Sequence, residues 1–464
     1  MKQNTQALSQ DSPPFGWLWL AFFAYAAIVA LLVQLVLLPY VFPQLHAGNG
    51  LLVGGDWLGF HRMAVEVAQR IRTEGWSAWE FRSYNEGLVG IVGAWYALTT
   101  SQPWTLIPLN AGLHATGALI LLRIMLFFVS SWRVALWCVL PFLIFPSAML
   151  WYTQIHKDGY FIVGILAFIY GWIAWSSLET WKRSWWLPLK PLVYVLLGTL
   201  FVWIVRPYGV ELLQGVGMGL ALVLTVAFAV WRKKAALPWN KVITGFLLCW
   251  LSLWSIGFIL SDGTGGYLDE PLNASGEPAP AAGEMPQSPP LILRIPWQTT
   301  TGLPAFLDGK FYGIALVRER SRTYYPDAAS NIDVDTNFRK ALDVLAYMPR
   351  AAQIALLAPF PNQWFKQGSR ASTDLMRRVS VFEMGVVYLC LLLLVYALWR
   401  WRARLELWVL FLFCSGMMMI FGLSITNVGS LYRIRYGFLM TLVAVGIAAG
   451  LSAWQERRRG LKPL

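Results

Sequence analysis

WLWLAFFAYAAIVALLVQLVLLPY, residues 17–40, carries no charged side chain and is long enough to cross the hydrocarbon core of a bilayer as one helix. It is too long for the apolar region of a secretory leader and lacks a small-residue cleavage site, so it reads as a retained first span. Comparable runs recur near 104–129, 133–150, 159–178, 191–207, 211–231, 241–260, 380–400, 405–426 and 436–454. The expected fold is an all-α integral membrane protein with about ten transmembrane helices.

Composition agrees. Hydrophobic residues make up 57% of the chain and charged residues 13%, too few to cover a soluble surface of this length. The net charge of +13 does not point to nucleic acid, because its clusters sit at the ends of apolar runs. Lys182-Arg183, Arg232-Lys233-Lys234, Arg400/Arg402/Arg404 and Arg457-Arg458-Arg459 are such clusters. That bias puts both termini on the cytoplasmic side of a bacterial inner membrane. Stretches 41–103, 151–158, 261–379 and 427–435, with the turn near Arg206-Pro207-Tyr208, are then periplasmic. Three parts follow: an N-terminal transmembrane module over 1–260 with first outer loop 41–103, a late periplasmic domain over 261–379, and C-terminal transmembrane helices over 380–464. Cys138, Cys249, Cys390 and Cys414 all lie inside apolar runs, so neither a disulfide framework nor a loop metal site is indicated.

Phe60, Met63, Val67 and Ile71 recur at helical spacing, with His61, Arg62, Glu66, Gln69, Arg70 and Arg72 on the other faces. The pattern predicts an amphipathic helix in the headgroup plane. Gly87 to Thr100 is apolar but too short to span, and predicts a re-entrant or interfacial helix. In the late outer segment a Pro/Gly/Ala-rich stretch, 262–290, precedes a helical pattern at Phe338, Leu342 and Leu345. Acidic and basic residues roughly balance there, which does not suit a nucleic-acid surface.

The informative polar residues collect at the outer ends of the spans: Asp56, His61, Tyr84, Glu86, His156, Lys157, Asp158, Arg206, Tyr208, Arg433 and Arg435. Asp56 follows Gly54-Gly55, where the chain turns close to the membrane. Desolvation there would raise its pKa and make it a base for an acceptor hydroxyl; a solvated loop carboxylate is the plainer account. Asp158 opens a helix and could simply cap it. Lys157 opposes that helix dipole, so an anionic partner such as phosphate competes with snorkelling as its explanation. Arg206, Arg433 and Arg435 could neutralise a lipid phosphate, or pair structurally with Asp158 or Glu86. No phosphate-binding loop, zinc-ligand spacing, nucleophile elbow or dinucleotide fingerprint occurs. A divalent cation could assist, but no spacing specifies its ligands, and no other cofactor is implied.

The order of these features resembles the C-type (GT-C) glycosyltransferases, the polyprenyl-phosphate-sugar-dependent class that includes protein mannosyltransferases and lipid A aminoarabinose transferases. The likeness covers roughly residues 15–230: a first span, an outer loop with Asp56, interfacial helices, then Ser101-Gln102-Pro103-Trp104, Leu109-Asn110-Ala111, Phe145-Pro146-Ser147 and Lys157-Asp158. Late in the chain only Tyr432-Arg433-x-Arg435-Tyr436 adds to it. The resemblance implies transfer of a sugar from a polyprenyl-phosphate carrier to an acceptor hydroxyl at the periplasmic face. It implies Asp56 as the essential carboxylate, Asp158 as the second-loop acid, and Tyr84 and Glu86 near the site. Lys157, Arg206, Arg433, Arg435, His61, His156 and Tyr208 would then bind substrate, and the acceptor would be a glycan, a lipid or a protein such as a type IV pilin. The first loop lacks a clear Asp-Glu pair, and the outer domain comes late in the chain.

An O-antigen polymerase or ligase is the nearest rival, because Arg294, Arg318, Arg320, Arg322, Arg339 and Arg350 populate a late outer loop. A lipid-linked sugar transporter would need ionisable residues deep in the spans. The spans contain few: Arg123 near a cytoplasmic end, and Glu211 and Glu383 near outer ends.

Overall fold

The computed structural model describes residues 13–177, 189–217, 219, 293–324, 326, 328–368, 371–458 and 460. Helix α1 (Phe15–Leu32) runs on through a π-helical stretch, Val33–Val41, and together they form the first candidate span. A two-stranded antiparallel hairpin, β1 (His46–Gly48) and β2 (Leu51–Leu52), leads into α2 (Asp56–Glu74). Then come α3 (Gly87–Leu98), α4 (Ile107–Met125), α5 (Trp132–Ile144), α6 (Pro146–Tyr152), α7 (Asp158–Ser177) and α8 (Leu189–Val205). The later elements are α9 (Ala305–Tyr324), α10 (Ala341–Leu357), α11 (Ala371–Arg400), α12 (Leu405–Ser424), α13 (Val428–Ile434) and α14 (Tyr436–Arg458).

Among the described residues six helices are long and apolar enough to cross a bilayer, or seven if α5 and α6 count as one bent span. This is a multi-pass helical membrane architecture. The single straight span expected over 133–150 is instead broken by 65° between α5 and α6. Pro146 explains the break, because its ring disfavours helical backbone at Phe145, which is extended with φ −61° and ψ 123°. The span expected over 191–207 is realised as the 17-residue apolar α8. Of the expected spans at 211–231 and 241–260, only 211–217 and 219 fall among the described residues, as helix; the Pro/Gly/Ala-rich 262–290 lies outside them.

Burial sorts the bundle into core and rim. The apolar stretch of α7 is 89% buried and that of the first span, Phe15–Val41, only 22%, so α7 is central while the first span turns Trp17, Ile28 and Leu35 outward, as a lipid-facing helix must. Helices α7 and α8 cross at closest approach where Gly164 meets Gly198. A Cβ on Gly198 would lie 2.6 Å from the Gly164 carbonyl oxygen, so only small residues allow the crossing.

The predicted amphipathic helix is present as α2, with Phe60, Val67 and Ile71 buried. Its apolar face meets protein: a Cβ on Gly93 of α3 would touch the Val67 side chain and the Ala64 carbonyl. The described part of residues 261–379 shares its core with the C-terminal helices. Ala315, Phe338, Val344 and Ala351 pack with Leu423 of α12. Backbone bonds from Ile332 to Thr426 (3.0 Å) and from Val428 to Ser330 (3.1 Å) stitch the segment to the turn before α13.

Candidate functional site

Two segments of backbone are sewn together before any charged group is placed. Leu52 N–H donates to Gln154 Oε1 at 3.0 Å, Gln154 Nε2 donates to the Gly50 carbonyl at 3.3 Å, and Gln34 donates to the Thr153 carbonyl. Asn110 holds the same segment from α4, donating to the Gln154 carbonyl at 2.9 Å. The chain then turns at Gly54, whose φ of 82° a side chain would resist. Asp56 enters at the first residue of α2, where a carboxylate suits the helix dipole.

The result is an open recess of about 400 Å³ lined by Asp56, Phe60, His156, Lys157, Val205, Arg206, Tyr208 and Arg433. Its walls come from four connections, at the end of α1, the start of α7, the end of α8 and the approach to α14. Asp56, before the second crossing, thus meets cations contributed by later parts of the chain.

Each cation has an acid. Arg206 Nη2 donates to Asp158 Oδ1 at 2.7 Å, both side chains nearly sealed from solvent, and its guanidinium covers the Phe161 ring at 4.6 Å. Lys157 Nζ lies 2.5 Å from Glu86 Oε1 and 5.0 Å from the centre of the Phe60 ring. Arg433 reaches Asp56 Oδ2 at the longer distances of 3.3 and 3.4 Å, and its Nη1 lies 2.6 Å from His156 Nε2. The other ring nitrogen, His156 Nδ1, is 2.8 Å from Asp158 Oδ2. The structural pairing expected of an arginine with Asp158 is thus realised for Arg206, whereas Lys157, for which only an anionic ligand or snorkelling was expected, pairs with Glu86. Arg433 makes the longest of the three contacts to a carboxylate, while its Nη1 rests on His156.

The acidity of Asp56 departs from expectation. Burial works against its charge, but the neighbouring cations, Arg433 foremost, outweigh burial and hold the carboxyl below its ordinary value. Desolvation alone would have raised it. The Asp56 side chain is 40% accessible, and that access is to the recess. Asp158 is enclosed, with Oδ1 bonded to Arg206 and Oδ2 2.8 Å from His156 Nδ1, which suits alignment of His156 and Arg206 better than proton transfer.

Five expected site residues do not line the recess: Asp158 and Glu86, which pair with its cations, and His61, Tyr84 and Arg435. His61 turns into the α2–α3 interface, with Nδ1 3.1 Å from the Tyr96 hydroxyl, and burial lowers its pKa. Tyr84, at φ 55°, donates to Glu66 Oε2 at 2.5 Å. Arg435 is fully buried and donates to the carbonyls of Ile354 (3.1 Å), Ala355 (2.5 Å) and Ala358, which caps the C-terminus of α10. Glu86 stands behind Lys157, and Tyr208 forms part of the lining. Phe60 and Val205 line the recess without having been expected in the site, because nothing in an apolar residue's spacing separates a recess wall from a core contact.

Among the described residues no group of three His, Cys, Asp or Glu side chains is disposed to hold a metal ion. Of Arg294, Arg318, Arg320, Arg322, Arg339 and Arg350, four are tied within the late segment or to α12. Arg318 donates to the Leu423 carbonyl at 3.1 Å and the Asp333 carbonyl at 2.8 Å, Arg322 and Arg294 pair with Glu319, and Arg350 Nε donates to Asp333 Oδ2 at 2.9 Å. No family model matches the chain, and neither a curated protein nor a solved structure matches it.

Proposed function

We propose that this chain is a membrane glycosyltransferase that moves a sugar from a polyprenyl-phosphate carrier to an acceptor hydroxyl. The observation that carries this reading is the convergence of Asp56 with Arg433, Lys157 and Arg206 in one recess at the ends of apolar helices. A carrier whose tail stays in lipid and whose phosphate reaches a cationic recess fits that placement. Arg206 Nη1, buried and without a hydrogen-bond partner among the described residues, adds an unused donor.

In the transfer, the acceptor oxygen bonds to the anomeric carbon as its proton passes to the Asp56 carboxylate. The bond from the anomeric carbon to the phosphate oxygen breaks, and its electron pair stays with the departing polyprenyl phosphate. Arg433 and Lys157 face that developing charge. In the resting arrangement Arg433 weakens Asp56 as a base; a phosphate that attracts Arg433 returns basicity to Asp56 as donor binds. Asp158 acts through His156 and Arg206 rather than on substrate. On this reading the recess faces the periplasm of a bacterial inner membrane, both termini are cytoplasmic, and the acceptor is a glycan, a lipid or a protein such as a pilin.

The polymerase or ligase alternative draws on arginines of the late segment, four of which are tied to partners within their own fold. Replacing Asp56 by Asn separates the two readings. Mass comparison of surface glycans and pilins from a deletion strain complemented with wild type or Asp56→Asn is the test. Loss of the added sugar mass at equal expression, a fall of roughly 10²- to 10⁴-fold in transfer, is expected for a lost base. Full complementation by the variant would overturn the reading.

A further inference from the structure

We infer that Glu383 is a positioning residue that fixes the spacing between the Arg433 wall and the His156–Lys157 wall of the recess; only the identity of the ligand rests on the transferase reading. Glu383 lies in α11, outside the recess, with no accessible surface. A carboxylate stripped of water persists where donors replace the water, and three do so here. Ser147 N–H donates to Oε1 at 2.8 Å, and the Ser147 and Tyr432 hydroxyls each donate to Oε2 at 2.6 Å.

Those donors belong to two elements that otherwise approach from different parts of the chain. Ser147 lies in the first turn of α6, and the far end of α6 runs straight into the segment bearing His156 and Lys157. Tyr432 immediately precedes Arg433 on α13. One carboxylate therefore references both walls to the same point. Aromatic contacts reinforce it: the Trp151 ring of α6 meets Tyr432 edge-on at 6.2 Å, and the Arg435 guanidinium covers the Tyr432 ring at 5.3 Å. Held through Tyr432 on one side and Arg435 on the other, α13 has little freedom to turn, and Arg433 alone of the three projects into the recess.

A buried carboxylate could instead shuttle protons, and the amide variant separates the roles. Glu383→Gln keeps an oxygen for Ser147 N–H and offers an NH₂ to two hydroxyls that can accept. A positioning role survives that exchange; a proton-transfer role does not. Glu383→Leu removes every bond, and Tyr432→Phe removes one while leaving Ser147 paired, which guards against a variant that merely fails to fold.

The experiment uses the full chain in lipid nanodiscs, with polyprenyl phosphate and the corresponding polyprenol as probes. Glu383→Leu is expected to weaken polyprenyl-phosphate binding roughly tenfold, as for one misaligned charge-assisted contact. Tyr432→Phe should shift binding the same way by less, and Glu383→Gln should restore most of it. In an Arg433→Ala background Glu383→Leu should cost less than it does in wild type, because at that wall the two act in series. Hydrogen exchange over 146–152 and 428–434 should rise in Glu383→Leu and stay low in Glu383→Gln. Unchanged exchange in Glu383→Leu, additive losses, or Glu383→Gln as impaired as Glu383→Leu would overturn the inference. Wild type that binds polyprenol as tightly as polyprenyl phosphate would instead sink the transferase reading, while the exchange data still decide the clamp.

Discussion

Arg433 Nη1 lies 2.6 Å from His156 Nε2, and since a guanidinium has no lone pair to offer, the imidazole nitrogen is the acceptor. The other ring nitrogen, Nδ1, lies 2.8 Å from Asp158 Oδ2 and 3.3 Å from the Asp158 backbone nitrogen. A series of alternating groups results: Asp56, Arg433, His156, Asp158, Arg206. His156→Ala should let Arg433 settle more closely on Asp56 and weaken polyprenyl-phosphate binding roughly tenfold, the worth of one charge-assisted hydrogen bond. His156→Gln supplies an acceptor oxygen and should recover part of the loss. Titration of the two variants in nanodiscs checks both, and equal affinity of His156→Ala and wild type would refute the series.

The same arrangement fixes a pH dependence. Burial pushes Asp56 up and its cationic neighbours, led by Arg433, bring it below the ordinary range. With a depressed folded value, the stability that Asp56 contributes is present above its unfolded pKa and is lost only as pH falls through the folded one. Its acid limb should therefore lie below the ordinary carboxylate value of about 4. Arg433→Met leaves burial less opposed, so the limb should move upward. Thermal stability against pH, with Asp56→Asn as the reference that lacks the group, reads that limb without any need for activity. A limb that stays put in Arg433→Met would show that Arg433 does not control Asp56.

Arg433 and Arg435 are two residues apart and should behave oppositely. Arg435 is sealed among the Ile354, Ala355 and Ala358 carbonyls, and burial lowers its pKa to about 10, still charged at neutrality. Arg435→Met orphans those carbonyls and should cost about 3 kcal/mol or more, seen as a lower melting temperature or lost expression. Arg433→Met should fold normally and lose the preference for phosphate. Melting curves beside ligand titrations separate the pair, and a stable Arg435→Met that fails only in binding would return Arg435 to the site.

The sequence alone does not tell these two arginines apart, for a physical reason. Arg-x-Arg before an apolar run says that two cations lie at a helix end; it says nothing of which carbonyls wait beside them. Asp56, Lys157, Arg206 and Arg433 were legible because charge at the edge of an apolar run is costly, and that signal is local. The partners were not legible: Asp56 with Arg433, Ser147 with Glu383 and Arg435 with α10 join residues far apart in the chain. Spans were legible by length, but the bend at Pro146 was not, since a proline within an apolar run can either kink a helix or end it. His61 followed a helical face correctly and was still misplaced, because the α2 face that looked fit for headgroups packs on α3 instead.

The α7–α8 crossing supplies a last test, because it sets where Arg206 meets Asp158. Gly198 and Gly164 face each other so closely that a Cβ on either would lie within 2.8 Å of the other's carbonyl oxygen. The obstacle is backbone, which cannot swing aside as a long side chain would, so the helices themselves must part. Gly198→Ala should then cost roughly 1–3 kcal/mol, the usual penalty of overpacking. Gly385→Ala in α11, where an added Cβ meets nothing within 4 Å, should be neutral or slightly stabilising and serves as the control. Parting α7 from α8 also lengthens the 2.7 Å contact between Arg206 and Asp158, so Gly198→Ala should lose phosphate affinity along with stability. If it loses stability alone, Arg206 holds its place through Phe161 and the turn at Pro207, and the crossing serves the fold without serving the recess.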